Sequence, residues 1–224
     1  IASICEERLT RNKNEIGYPI KSINEVLSLA NISPRDIDIA VYASNFMHSP
    51  SHLRKASEWY RAGKLDFIKD SQKDKSYLKA VFNQRRKERI EQLENHLSIQ
   101  KEKIKFVDHH EAHGAAAYYG SPFLKDKKTL VLTCDGAGDG ISATVSIANN
   151  HDIKRISSTS RKASLGKIYS RVTYMLGLKP WEHEYKVMGL APYAEKQYAE
   201  EIRDILKMLI RVSKDGLGFE LSGE

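Results

Sequence analysis

His109 and His113 stand four residues apart. That spacing puts two side chains on one face of an α-helix and can bring two imidazole nitrogens to a single metal ion. Spacing alone does not decide ligation, because helix histidines four apart also serve as exposed or hydrogen-bonded residues. His110, about 100° around the helix from His109, reads as a supporting or structural residue. The second chemical element is Asp135-Gly136-Ala137-Gly138-Asp139-Gly140. Its glycines permit left-handed backbone angles and let amide N–H groups come close to a phosphate. Asp135, at the carboxyl end of a β-rich run, sits where open α/β sheets present ligands, and its carboxylate can hold a cation or orient a nucleotide. A plain β-turn stabilised by Asx hydrogen bonds accounts for the same residues.

Two further segments carry anion-binding potential. Ser164-Leu165-Gly166-Lys167 is a small-residue start to a helix, and Glu184-Tyr185-Lys186-Val187-Met188-Gly189-Leu190-Ala191-Pro192-Tyr193 offers Lys186 as a point charge for a phosphate. Each alone is ordinary. No Walker-type phosphate loop, no Cys-x-x-Cys pair and no Gly-x-Ser-x-Gly elbow occurs.

The elements that must position these residues follow from periodicity. Ile1 to Cys5 reads as the tail of a strand, and Glu6 to Lys13 as a charged turn. A helix is expected from about Lys21 to Ala30, where Ile23, Val26, Leu27 and Ala30 recur at helical spacing. Ile37 to Ala43 reads as a strand, residues 51–100 as a helical insertion, and Lys105 to Val107 as a short strand leading into the alanine-rich helix that carries the histidines. Thr129 to Cys134, Ile141 to Ile147 and Ile153 to Thr159 form a strand meander joined by the glycine turn and by Ala148 to Asp152. Helices are expected at Ile168 to Leu176 and Tyr198 to Val212, and the segment around Gly216 to Leu221 shows no terminating structure. The reading is an α/β chain, 1–128 and 129–224, that looks like a piece of a longer protein.

Composition narrows the class. Of the 224 residues, 41% are hydrophobic and 29% charged, as in ordinary globular domains. No apolar run is long enough to span a membrane and the first residues do not resemble a signal peptide, so a cytoplasmic location is expected. Cys5 and Cys134 lie in strand-like runs and read as core thiols rather than a disulfide. The formal charge of +7 is confined to residues 50–105, which hold 15 Lys/Arg against 8 Asp/Glu. Such a local excess reads as a solvated helix face, with attraction for phosphates or an anionic acceptor as the alternative, and nucleic acid is not an expected partner.

Five motifs occur together in order: Glu6-Glu7-Arg8-Leu9-Thr10-Arg11-x-Lys13, Val107 to His113, Asp135-Gly136-x-Gly138-Asp139-Gly140, Ser164-Leu165-Gly166, and Glu184 to Tyr193. In this order the chain resembles NodU/CmcH-type O-carbamoyltransferases. The resemblance implies an actin-like ATPase fold of two ribonuclease-H-like halves with a ligand cleft between them, related to the tRNA threonylcarbamoyl transferases. It implies that carbamoyl-adenylate, made from carbamoyl phosphate and ATP, gives its carbamoyl group to a hydroxyl of a sugar or small-molecule natural product. By motif, His109, His113 and Asp135 become ligands of a divalent metal, of iron type (Fe2+). Asp135, Gly136, Gly138, Gly166 and Lys186 become nucleotide-site residues, with a structural Glu184–Lys186 ion pair as the alternative for Lys186, and Arg11 and Lys13 face the acceptor or else are plain surface charges.

The chain also departs from the family. The opening strand with a proposed catalytic histidine, a later aspartate ligand and the C-terminal adenylate-forming domain are absent from residues 1–224, so the catalytic residue is expected N-terminal to residue 1 and the fragment is not expected to turn over alone. Two other readings share the motifs: a tRNA threonylcarbamoyl transferase, favoured by a salt-sensitive RNA complex, and a nucleotide-binding module that has lost chemistry.

Overall fold

The computed structural model describes residues 2–13, 15, 17–45, 75–122 and 126–222. It is mixed α/β and divides into two compact units, Ile1–Val107 and Asp108–Glu224. The division falls ahead of the histidine helix because that helix packs on the strands that follow it.

In the first unit, α1 (Glu6–Thr10) replaces the expected charged turn, and the described residues before it, 2–5, are not in a strand. Its stability comes from outside local propensity. The first turn of α2 (Ile20–Ala30) has Pro19 at its N-cap, which offers no side-chain acceptor. Glu6 supplies one, accepting from the backbone N–H of Lys21 at 3.1 Å and of Ser22 at 2.7 Å. Strand β1 is Ala40–Tyr42, shorter than expected because its parallel partner, β2 (Ile104–Phe106), is only three residues long. A parallel pair needs a crossover. Helix α3 (Lys75–Leu97) lies in that connection, while residues 46–74 of the expected helical insertion lie outside the described residues. Leu93, Leu97, Ile99 and Ile104 are buried together, with Ile23, Leu27, Tyr42 and Phe106 against them. His96 joins α3 to the start of the unit, its Nε2–H donating to Asn24 at 2.8 Å and its Nδ1 accepting from Tyr18 at 2.9 Å.

The second unit starts with α4 (His109–Gly120) and continues as an antiparallel meander of β3 (Thr129–Gly138), β4 (Ile141–Asn149) and β5 (Asp152–Ser160). Both hairpin turns have two left-handed residues, Asp139 and Gly140 in the first and Asn150 and His151 in the second, the geometry that matches strand twist. Tyr118 of α4, Val131 and Ala148 form the small buried core on one sheet face. On β3 the alternation leaves Leu130, Leu132 and Cys134 exposed on the other face. Cys5 is exposed as well. The expectation of core cysteines is therefore corrected: strand parity puts Cys134 opposite to Val131 and Thr133.

After the sheet come α5 (Leu165–Met175), α6 (Glu184–Leu190) and α7 (Lys196–Lys207). Helix α7 ends earlier than its periodicity suggested. Ile210–Val212 (β6) pairs with Phe219–Leu221 (β7) in a terminal hairpin, closed by Ser213 N–H on Gly218 O at 2.9 Å and by Leu217 N–H on the Asp215 carboxylate at 2.9 Å. The segment around Gly216 to Leu221 thus consists of a turn and the strand Phe219–Leu221.

Candidate metal centre

His109 and His113 reach one face of α4 because Asp108 starts that helix where β2's connection ends. The Asp108 side chain accepts from the N–H groups of His110 and Glu111 at 3.0 and 3.1 Å, satisfying amides that have no partner within the helix. Arg155 of β5 holds the same carboxylate in a short ion pair. A second acid works on the same end of α4: Asp139, in the hairpin turn, accepts from His109 N–H at 2.9 Å. The start of the helix is fixed from the sheet on both sides.

Asp135 comes from an irregular stretch of β3. Cys134 pairs with Ala143 and Gly138 with Ile141, so Asp135, Gly136 and Ala137 together stand opposite Ser142. Such a bulge re-aims a side chain that regular alternation would point elsewhere. The Asp135 Oδ2 atom lies 2.8 Å from His109 Nε2 and 3.6 Å from His113 Nε2, and the two imidazole nitrogens are 3.0 Å apart.

Those three distances test the fit to a metal. Donors about 2.0–2.2 Å from a first-row divalent ion stand about 2.8–3.6 Å from each other in tetrahedral or octahedral arrangements. The triangle has the right size. Ligation needs both Nε2 atoms free of protons, so the proton shared among His109, His113 and Asp135 in the ion-free triangle leaves when a cation binds. Two imidazoles and one carboxylate on one side of an ion make the facial donor set of non-haem iron and related sites. The side chains of His109, Asp135 and His113 are 29%, 26% and 53% exposed, so the triangle opens to solvent.

The left-handed angles expected of the glycine run are confined to its end. Gly136 and Gly138 belong to β3, and only Asp139 and Gly140 have left-handed angles. Gly138 is required by contact: a Cβ there would lie 1.9 Å from His109 Cδ2. Gly166 is required likewise, since its Cβ would meet the Asp135 carbonyl oxygen at 2.8 Å and Gly136 Cα at 2.9 Å. Ser164 clamps this junction, donating to Gly136 O at 2.6 Å and approaching Asp135 O at 3.2 Å while accepting from Lys167 N–H to cap α5. Lys186 lies exposed on α6 with Nζ over the Tyr185 ring, 5.9 Å from its centre. It pairs with no carboxylate among the described residues, and Glu184 accepts instead from Trp181 N–H at 2.7 Å. Arg11, the left-handed C-cap of α1, and Lys13 are exposed residues of the first unit.

Sequence reasoning missed Asp139, Arg155 and the contact role of Gly138. The Asp108-x-x-Glu111 spacing was a visible capping signal; the other roles depend on strand register.

Comparison with known proteins agrees with the motif order. The carbamoyltransferase N-terminus family matches residues 1–222, and the chain belongs to that family. Over 213 residues it is 31% identical to uncharacterized protein sll1178 of Synechocystis sp., covering 92% of this chain and 33% of that protein. It is 32% identical to nodulation protein NolNO of Sinorhizobium fredii, covering 87% of this chain and 26% of that one. A shorter match, 33% identical, joins it to nodulation protein NolO of Bradyrhizobium diazoefficiens over 50% of the chain and 21% of the relative. The chain thus spans about a third or less of the length of these relatives. Among the described residues no helix is long and apolar enough to cross a membrane.

Proposed function

We propose that the chain forms the metal- and nucleotide-binding part of an O-carbamoyltransferase with an actin-like ATPase fold, which moves a carbamoyl group from carbamoyl-adenylate to a hydroxyl of a small-molecule acceptor. The observation that carries this reading is the His109–His113–Asp135 triangle, in a chain of the carbamoyltransferase N-terminus family.

His109, His113 and Asp135 would hold a divalent ion, of iron type. When bound, such an ion supplies positive charge that neutralises phosphate oxygens and the AMP leaving group. The chain's own residues do the rest. Asp108 and Asp139 keep the first turn of α4 in place, so both imidazoles face Asp135 without reorganisation. Gly138 and Gly166 let the His109 ring and the Asp135–Gly136 backbone pack closely, and the backbone N–H groups of Gly136, Gly138 and Gly166, with Lys186 as a cation, would meet the phosphate of the adenylate. In the transfer itself the acceptor oxygen bonds to the carbamoyl carbon, the carbon–oxygen bond to the adenylate phosphate breaks, AMP departs and the hydroxyl proton passes to a general base. Carbamoyl phosphate and ATP supply the adenylate through a separate domain of the full-length protein, and Arg11 and Lys13 meet the acceptor.

The test uses full-length protein prepared with iron under anaerobic conditions. Metal analysis is expected to find about one ion per chain in the wild type and a large loss in His109→Ala and Asp135→Asn. Carbamoyl-adenylate formation, followed as ATP- and carbamoyl-phosphate-dependent pyrophosphate release, identifies the donor. Metal-free wild-type protein, or unchanged transfer by His109→Ala, would sink the assignment.

A further inference from the structure

His110 lies between the two proposed imidazole ligands in sequence, but it is buried, 1% exposed. Its hydrogen bonds determine its tautomer. Nε2 is 3.1 Å from the carbonyl oxygen of Ile141, which has no proton to give, so Nε2 carries one and donates it. Nδ1 lies 2.8 Å from the Thr133 hydroxyl. Thr133 donates to that nitrogen and accepts from Thr144, whose hydroxyl is 2.6 Å away. Thr144 is itself buried. The imidazole is therefore held at both nitrogens by adjacent strands, a chain of donors running Thr144, Thr133, His110.

The far end of that chain faces Asp135. Oδ1 of Asp135 is buried and has no hydrogen-bond partner, yet the Nε2–H of His110 lies 3.5 Å from it. Oδ2 of the same carboxylate is the atom that meets His109 and His113. A carboxylate free to rotate would present either oxygen, or both.

We propose that His110 is a positioning residue: its Nε2–H keeps Oδ1 of Asp135 turned into the protein, so that Asp135 offers a single oxygen to the ion held by His109 and His113. The inference rests on the metal-site reading given above. It assigns a task to the buried histidine of the motif, whose N–H, bonded to Ile141 O, is also the donor that stands beside the unsatisfied Oδ1. The same N–H donates to Ile141 O at 3.1 Å, so its approach to Oδ1 at 3.5 Å is the longer branch of a shared donor, acting on Oδ1 chiefly through its bond dipole.

The experiment is a Co2+ titration of full-length protein at fixed pH, read by affinity and by the visible d–d bands, whose position and intensity report coordination geometry. His110→Phe keeps a ring and removes the donor. His110→Gln keeps an amide N–H near the place of Nε2. The expected result is an affinity about 10–100-fold lower in His110→Phe with altered bands, and recovery of most of the loss in His110→Gln. Wild-type affinity and bands in a folded His110→Phe overturn the proposal while leaving the metal site intact, as does a His110→Gln no better than His110→Phe. Failure of the wild type to bind Co2+ overturns the metal-site reading and this inference together. Should His110→Phe not fold, Thr133→Val decides: a several-fold weaker affinity with shifted bands supports the proposal, and an unchanged titration overturns it.

Discussion

A methyl group on Gly138 would lie 1.9 Å from Cδ2 and 2.1 Å from Cγ of His109, inside the imidazole ring's own space. The backbone of the hairpin is thus the floor on which the first histidine rests. Because Asp139, the next residue, also accepts from His109 N–H, ring and backbone of His109 are both fixed by one two-residue stretch of sheet.

Gly138→Ala is accordingly expected to push the His109 ring off Asp135, destabilising the protein by about 1–3 kcal/mol as overpacking does and weakening Co2+ binding. Gly136→Ala is the contrast, since a Cβ there meets nothing within 4 Å; its stability should stay within about 0.5 kcal/mol of wild type. Denaturant unfolding of the two variants checks the pair, and equal losses would contradict the assigned contact.

Ser164→Ala removes one hydroxyl with three partners, the carbonyls of Asp135 and Gly136 and the amide of Lys167. Loss of a helix cap together with exposed acceptors is expected to cost about 1–3 kcal/mol. Gly166→Ala should cost more than Ser164→Ala, because the atoms its Cβ would strike are backbone and cannot rotate away. Thermal melts of both variants give the order.

Asp108 and Glu111 both approach Arg155, but they are not equivalent. Asp108 also caps α4, whereas Glu111 is 3.6 Å away with a side chain 61% exposed. Asp108→Ala is expected to lose about 1–3 kcal/mol through the cap and the abandoned guanidinium, and Glu111→Ala less than about 0.5 kcal/mol. Unfolding of each single variant distinguishes the two, and a Glu111→Ala as damaging as Asp108→Ala would refute the cap as the cause.

Burial pushes the Tyr18 phenol up to about 12, with Tyr42 adding to the shift, and burial likewise pushes Tyr42 up to about 12 against the opposing charge of Arg89. Both protonated phenols are favoured in the folded state. Their contribution to stability is therefore fully present below the ordinary value of 10.0 and is lost as pH rises through about 12. An absorbance titration of tyrosinate should show a late phase that Tyr18→Phe and Tyr42→Phe each reduce. If neither substitution changes that phase, the assignment to these two residues fails.

Where an interaction is set by a local repeat, the sequence displays it. The four-residue interval of His109 and His113, the helix they share, the β-rich run ending near Asp135 and the helix around Ile23 and Leu27 all follow from the helical and strand periods. Other features were misread for identifiable reasons. The helix at Glu6 depends on an N–H group at Lys21 and another at Ser22, outside any local window. Cys134 reads as core because its neighbours are apolar, but parity turns it to the face opposite Val131. The glycine run reads as a turn with left-handed angles throughout, while two of its three glycines lie in the strand and Gly138 is needed for space.

The sequence by itself determined the family, the paired histidines and the acid that would join them, since ordered motifs and helical spacing are properties of the chain as written. Only the tertiary structure decided that Oδ2 of Asp135 meets both imidazoles, that Gly138 underlies His109, and that His110 faces the other carboxylate oxygen. Asp135 and His109 are 26 positions apart, and their approach depends on the register of β3 against β4 and on the bulge after Cys134. A shift of one residue along a strand reverses which face a side chain occupies, so the meeting of donors is a property of the paired sheet and not of any segment within it.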